Sequence, residues 1–548
     1  MALKTLLHMQ ARGEKLQAAL NQTLSDETGK TSASAEGLTK DNALAQDKVL
    51  AKDKALATEL CYGCARLAIR LDWILNQHLK KPEQIPLALR RVLRLAAYEL
   101  LYLTHIPVYA VISSYVGAVK AGFGPGLAGL ANAVLRKIAN SRPAEQTAAA
   151  QTISNQPVPG QSEPIQADAI QAEPTQATPQ KKTNIPSYDE ALFKERLTSK
   201  KGKEEDFLSK WYSLPPWLVT HFLQNYSREE ALTYMQAFLS PPPLGLRVNS
   251  RAANWQELFQ SLARREDCVF AKGNALALSL GAGGKAKTQP PEAFGEASAV
   301  NAEFETSPQP GLPNAACLTN FGALLGVGAL SRQSAAAQQV MQSIFDYLKQ
   351  EIKAALELGP VWDLCAGHGG KTCWLLEQGY PVALASDVNL TRLLGLKQEL
   401  KRLKLPSPLL LGANAARPMP LRANFDPTCS NMTRPGFILP GLVLIDAPCS
   451  GLGTLARRPD IKEYAQPSDL PALAALQRQI LGCAFDQLPI KGLLVYITCT
   501  LNPQENEGAL DSLLQQKPNA RQIFTWQTPA ASALKEFFWA GVVRKEIA

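Results

Sequence analysis

No dense cysteine framework is present: ten cysteines are spread thinly over 548 residues, and several lie inside apolar runs. That excludes a disulfide-stapled secreted scaffold and points to a reducing cytoplasm. No apolar run is long enough to cross a bilayer. The longest candidate, residues 93–119, is interrupted by Arg94, Glu99, His105 and Pro107. The first sixteen residues alternate apolar and basic side chains without the apolar centre of a secretory signal, so no membrane partner is expected. Cys61 and Cys64 have no second thiol pair nearby, and they read as neighbours on one helix rather than as zinc ligands. Asn431-Met432-Thr433 matches a glycosylation acceptor, which means nothing in a cytoplasmic protein. Charge of one sign is also scarce. Lys and Arg number 57 against 48 acids, a formal +9, which suits a nucleic-acid partner without requiring one.

What is present is enough apolar residue, 46%, to fold most of a chain too long for one core. Residues 1–140 lack any alternating β-branched stretch. Leu56, Leu60, Leu67, Leu71 and Ile74, then Leu89, Val92, Leu93, Ala96, Leu100 and Leu103, recur at helical spacing. An all-helical domain follows, with residues 26–46, polar and small, expected as a loop. Residues 141–200 form a linker, dominated at first by Ala, Gln, Pro, Thr and Ser, which cannot bury enough surface to fold. Residues 201–345 read as a small α+β subdomain. It has helices over 217–238 and 255–262, strands at 244–248, 269–271 and 275–278, and a low-complexity insertion over 281–316.

Residues 346–548 alternate strands and helices: strands at 361–364, 382–386, 442–446 and 493–498, and helices at 372–378, 390–403 and 472–487. This is the pattern of an α/β doubly wound, Rossmann-like, mainly parallel sheet, whose ligands bind beyond the carboxyl ends of the strands. Those ends carry the chemistry. The first strand opens into Cys365-Ala366-Gly367-His368-Gly369-Gly370-Lys371, a glycine-rich loop before a helix, where backbone approaches a ligand closely. A phosphate loop is the rival reading, because Gly370-Lys371-Thr372 fits its end, but Cys365 stands where its first glycine belongs. Asp387 ends the next strand, in the place of a ribose-binding acid or a helix cap. Asp446 and Cys449 follow the third strand, and Cys499 ends the fourth. Either thiol alone reads better as buried packing. Together at ligand-binding strand ends, with an acid beside them, they suggest covalent chemistry on an electrophilic ring. Arg457, Arg458 and Lys462 beyond Cys449 suit phosphates or a solvated loop, and Arg392, Lys397, Lys401, Arg402 and Lys404 an ordinary solvent face.

These segments resemble the RNA cytosine-5 methyltransferase superfamily. Asp363–Thr372 is similar to its cofactor loop, and Asp446-Ala447-Pro448-Cys449-Ser450-Gly451 with Arg457-Arg458-Pro459-Asp460 to its signature motif. Thr498-Cys499-Thr500 with Pro503, Glu505 and Asn506 is similar to its nucleophile motif. Leu246-Arg247-Val248-Asn249 and Gln333-Ser334-Ala335 resemble its N-terminal subdomain. Asp53–Leu56, Glu59–Gly63, Leu71–Ile74 and Asn132–Arg136 look like a NusB-type RNA-binding domain. The combination is that of the RsmB (Fmu/Sun) type within the RsmB/NOP family, which acts on 16S ribosomal RNA.

The resemblance implies S-adenosylmethionine as cofactor, held by residues 365–371, Asp387, Asn414 and Asp446. It implies Cys499 as nucleophile on cytosine C6, Asp446 on ring N3 and Cys449 in release of the enzyme. It further implies 16S rRNA, free or in an assembling subunit, as partner of a cytoplasmic monomer. Some positions depart from the family pattern. Gly367 and His368 replace alanine and proline, Asn414 an aspartate and Thr500 a serine, and Lys535 precedes Glu536 where Asp-Gly is usual. They also fit the alternative, a NusB-like RNA-binding protein with a weakened methyltransferase domain.

Overall fold

The computed structural model describes residues 1–6, 15–34, 40–103, 106–141, 204–279, 321–351, 359–419 and 439–547. Nearly all of the linker 141–200 and the whole insertion 281–316 lie outside the described residues. Two compact units emerge, Met1–Phe222 and Leu223–Ala548. The sequence reading had instead begun the α+β subdomain at residue 201.

The first unit is helical: α1 (Leu16–Ser34), α2 (Lys40–Arg66), α3 (Ala68–Asn76), α4 (Leu87–Tyr102), α5 (Val108–Phe123), α6 (Pro125–Asn140) and α7 (Glu204–Tyr212). Among the described residues α4 is central, packing on α2, α3, α5 and α6 through Leu89, Val92, Leu93, Ala96 and Leu100, all buried. Asp72 on α3 fixes it from outside, accepting from Arg94 Nε at 2.7 Å and facing Arg90 Nη1 at 3.4 Å. Helix α7 packs on α3, and Ser213 beyond it accepts the Ile69 N–H at 3.1 Å. Cys61 and Cys64 both lie buried on α2, and burial pushes the Cys61 thiol up to about 12. The expected loop over 26–46 is a correction: its described residues continue α1 and open α2. Polarity alone does not stop a helix, and Lys, Asp, Gln and Ala there are adequate helix formers.

The expected single helix over 217–238 is two, α8 (Pro216–Asn225) and α9 (Arg228–Ala237). Ser227 breaks the segment as an N-cap. Its hydroxyl accepts the Glu230 N–H at 3.3 Å, and Glu230 Oε2 accepts the Ser227 N–H at 3.2 Å, a capping box. Then come β1 (Leu244–Val248), α10 (Trp255–Ala263), β2 (Cys268–Lys272), β3 (Ala275–Leu278), α11 (Phe321–Gly326) and β4 (Leu330–Arg332). The strands form an antiparallel sheet in the order β2-β3-β1-β4 over a core that includes Leu246, Leu258, Leu276 and Leu330.

Helix α12 (Ala335–Glu351) leads into the large sheet: β5 (Val361–Asp363), α13 (Gly370–Glu377), β6 (Val382–Asp387), α14 (Leu390–Leu403), β7 (Leu409–Gly412), β8 (Leu442–Asp446), α15 (Ile461–Tyr464), α16 (Asp469–Asp486), β9 (Leu493–Thr498), α17 (Glu507–Gln516), β10 (Ala520–Gln527) and β11 (Trp539–Lys545). Strands run in the order β10-β11-β9-β8-β5-β6-β7. Those from β5 to β9 are parallel, and β11 and β10 close the edge antiparallel. Separate apolar layers cover the two faces, so β9 is buried at every residue, as a strand covered on both sides must be. Chain order reverses between β5 and β8, the switch point where such sheets open a ligand crevice.

Arg247 on β1, 1% exposed, joins the small sheet to α13. Its Nε lies 3.0 Å from Glu377 Oε2, and its Nη1 donates to the Gly370 carbonyl at 2.8 Å and to Gln333. Burial pushes Glu377 up to about 7 against the pull of Arg247. Arg402, read as part of a solvent face, is a second correction. It donates to the carbonyls of Leu325 and Leu330 and to Ser331 Oγ, because the small sheet covers that end of α14.

Candidate active site

Asp363, the glycine loop, Asp387, Asp446, Cys449 and Cys499 lie at or just beyond the carboxyl ends of β5, β6, β8 and β9. Parallel register makes neighbours of two of these ends: Asp446 on β8 pairs with Ile497 on β9, and the Ala447 N–H donates to the Ile497 carbonyl at 2.9 Å. One step further the thiols meet, with Cys449 Sγ 3.3 Å from Cys499 Sγ and the Cys499 N–H directed at Cys449 Sγ at 3.4 Å. The hydrogen bond from Cys449 draws the Cys499 thiol below its ordinary value, against burial, with Lys371 and Arg457 adding positive charge. That same bond, then burial, then the negative charges of Cys499 and Glu505 push Cys449 well up. Of the two sulfurs, Cys499 is the one drawn toward the thiolate and Cys449 the one held toward S–H. Cys499 is the better nucleophile, because the thiolate is the reactive form.

Lys371 reaches from α13 across to β8, its ammonium 2.5 Å from Asp446 Oδ2 and over the Phe538 ring. Cys449's loop is held by a short backbone bridge. The Gly453 N–H donates to the Cys499 carbonyl at 3.0 Å, and the Phe537 N–H to the Gly453 carbonyl at 2.9 Å. Arg457, read as suited to a phosphate or to a solvated loop, pairs with buried Glu536 at 2.7 Å, and Arg458 donates to the Tyr464 hydroxyl at 2.9 Å.

The cofactor side is built from carboxylates and tight backbone. Asp387 Oδ2 accepts the Gly367 N–H at 2.9 Å, and its Oδ1 the Asn389 N–H at 2.7 Å. Gly369 caps α13 at φ +82, where a Cβ would lie 2.1 Å from Leu396, so glycine is required by both backbone and space. Among the described residues no heavy atom beyond its chain neighbours lies within 4 Å of where a Gly367 Cβ would stand, so the loop faces open space at that residue. His368 flanks Gly395. Cys365 is partly buried, with its thiol pushed up by desolvation. Asn414 is exposed beyond β7, and its Oδ1 accepts the Ala416 N–H at 3.0 Å in a local turn; among the described residues no side-chain hydrogen bond joins it to the other candidate site residues.

Asp363 is fully buried. Thr372 donates to its Oδ2 at 2.6 Å, and Oδ1 has no partner among the described residues. Burial pushes it up to about 7. An acid raised in the fold keeps its proton after the unfolded chain has lost it. Its contribution is full below about pH 4, the unfolded range, and is lost as pH rises through about 7. Asp363→Asn is expected to flatten that decline in a plot of urea midpoint against pH; an unchanged slope contradicts the assignment.

Sequence reasoning missed Lys371 as the partner of Asp446, the Arg457–Glu536 pair, and the contacts of Glu505. Glu505 appears in the sequence as a motif residue, but its partners come from three other segments. Acids around a glycine loop at the switch point of a doubly wound sheet are the arrangement of an enzyme that binds a nucleoside cofactor.

Comparison with known proteins narrows the class. Residues 355–540 match the model of the 16S rRNA methyltransferase RsmB/F family, and residues 1–140 that of the NusB family. Among similar proteins, a probable ribosomal RNA small subunit methyltransferase B of Synechocystis is 28% identical over 89% of this chain and 87% of its own. Ribosomal RNA small subunit methyltransferase B of Pasteurella multocida is 27% identical over 84% and 79%. The solved structure of PH0851 shares the fold, with TM-score 0.58, 16% identity and coverage of 99% and 97%. Residues 355–540 are thus similar to the 16S rRNA methyltransferase RsmB/F family and residues 1–140 to the NusB family, and the cofactor of this methyltransferase region is S-adenosylmethionine. The residues present fit that group: the carboxylates suit its sulfonium and ribose, and the loop leaves space at Gly367. No helix among the described residues is long and apolar enough to cross a membrane.

Proposed function

We propose that this protein methylates C5 of a cytosine in 16S ribosomal RNA through a covalent adduct between Cys499 and C6. The observation that carries the reading is the 3.3 Å thiol pair, in which one sulfur is favoured as thiolate and the other as its donor. Cytosine C5 is a poor nucleophile until a thiolate adds to C6. Bound S-adenosylmethionine supplies an electrophilic methyl group. In the proposed sequence the Cys499 sulfur bonds C6 and the C5–C6 electron pair forms the new bond to methyl. With Cys499 bonded to C6, its charge no longer holds Cys449 protonated; Cys449, having given its proton to solvent, takes the C5 proton, the C5–H electron pair restores the C5–C6 double bond, and the C6–S bond breaks, returning its electrons to Cys499. Cys449 S–H stabilises that departing thiolate. Asp446 holds ring N3 in the adduct, with the Lys371 ammonium balancing charge.

Asp387 would hold the cofactor's ribose, the loop 365–371 would pack along it, and Asn414 would serve its adenine. The target base must leave any stack to reach the thiols, which is cheapest in a single-stranded or loop segment. The NusB-family domain adds RNA contacts, and both thiols and the cofactor loop lie on one chain, so a monomer suffices.

The test is to incubate the protein with S-adenosylmethionine and unmethylated small-subunit RNA, free or partly assembled, and digest the product for nucleoside mass spectrometry. 5-Methylcytidine is the expected product. A methyl on a ring nitrogen or a ribose oxygen overturns the reading.

A further inference from the structure

We infer that Glu505 is the positioning residue that locks the two thiol-bearing loops to each other. This inference rests on the paired-thiol reading above. Glu505 is 0% exposed, yet no salt bridge to it is found among the described residues. Its carboxylate is satisfied by neutral donors from both cysteine loops and from α16. On the Cys449 side, the Ser450 N–H donates to Oε2 at 2.8 Å and the Ser450 hydroxyl to Oε1 at 2.5 Å. On the Cys499 side, Asn502 Nδ2 donates to Oε1 at 3.1 Å and Thr500 Oγ1 lies 3.4 Å away. Gln477 Nε2 donates to Oε2 at 3.0 Å and, at 2.8 Å, to the Pro448 carbonyl, one residue before Cys449. Ser450 and Thr500, each adjacent to a thiol, also share a hydrogen bond at 2.6 Å. Beneath them the Tyr496 hydroxyl donates to the Glu505 carbonyl at 2.6 Å, anchoring the clamp to β9.

Burying a carboxylate without a cation is costly unless its lone pairs are filled. Here they are filled by donors whose places fix where each loop lies, so the same bonds that satisfy Glu505 set the sulfur separation. The carboxylate's negative charge also favours Cys449 as S–H rather than thiolate, behind the effects of Cys499 and burial. Glu505 does not touch the reacting atoms; it acts through the loops.

The experiment compares iodoacetamide alkylation of Cys499 and Cys449 across pH in the full chain without RNA, each thiol read by peptide mass spectrometry. S-adenosylmethionine binding serves as the check on folding. Glu505→Gln keeps the size but turns an amide N–H₂ toward donors. The preference for alkylating Cys499 is expected to collapse by roughly tenfold and turnover to fall roughly 10- to 100-fold, as for lost hydrogen bonds to a charged group, while cofactor affinity holds. If Glu505→Gln fails to fold, Ser450→Ala, which removes one donor and keeps the N–H bond, is expected to shift the preference in the same direction by less. A wild-type preference in a folded variant, or a collapsed preference with undiminished turnover, overturns the inference. A product other than 5-methylcytidine would sink the proposed reaction while leaving the alkylation ratio as it is, so the two failures are distinguishable.

Discussion

Replacing Cys499 with alanine is expected to abolish methyl transfer and every covalent RNA adduct, a loss on the order of 10⁴-fold or more for removal of a nucleophile. Cys449→Ala is expected to lose turnover too, but by accumulating adduct. The difference follows from the pair's geometry. The two sulfurs lie 3.3 Å apart, within hydrogen-bond reach, and Cys499 is the one drawn toward thiolate. Attack needs only that thiolate, whereas release needs C5 deprotonation and a stabilised leaving sulfur, both assigned to the Cys449 side. Denaturing gels of protein incubated with RNA and S-adenosylmethionine separate the cases. A slow-migrating band is expected for Cys449→Ala and none for Cys499→Ala. Full activity in Cys499→Ala, or normal turnover in Cys449→Ala, contradicts the respective role.

Gly453→Ala is expected to have the next largest effect, although it touches neither sulfur. Its Cβ would stand 2.1 Å from the Phe537 carbonyl oxygen and 2.9 Å from that of Cys499. Both are backbone atoms, so no side chain can swing aside. The two hydrogen bonds that Gly453 makes to these residues require that close approach. A loss of about 3 kcal/mol in urea unfolding is expected, the upper range for overpacking a tight contact, together with equalised alkylation of the two thiols as the loops part. Wild-type stability with wild-type alkylation contradicts the bridge.

Much of the catalytic sheet was legible because its signals are local. The runs 442–445 and 493–497 carry no charged residue and are almost wholly aliphatic, as parallel strands covered on both faces must be, and the glycine loop, acids and thiols follow at or just beyond the strand ends. The stretch 26–46 misled because polarity was read as irregularity, when a helix needs only tolerable propensity. The break at Ser227 was visible in the sequence as serine followed three residues later by glutamate, but the apolar spacing on either side masked it. Arg402, Arg247 and Glu505 were not legible in their roles. Each finds its partners across the tertiary fold: Arg402 in the small sheet, Arg247 in α13, and Glu505 between two loops and α16. A charged residue's spacing along a helix or loop says nothing about what packs over it.

Small-subunit RNA carrying 5-fluorocytidine tests the central claim most directly. Fluorine at C5 cannot leave as a proton does, so the methylated adduct cannot resolve. After protease and nuclease digestion, mass spectrometry is predicted to find the modified nucleotide bonded to Cys499, dependent on S-adenosylmethionine. The nucleotide on Cys449, or no covalent species while the same preparation methylates unmodified RNA, would contradict it.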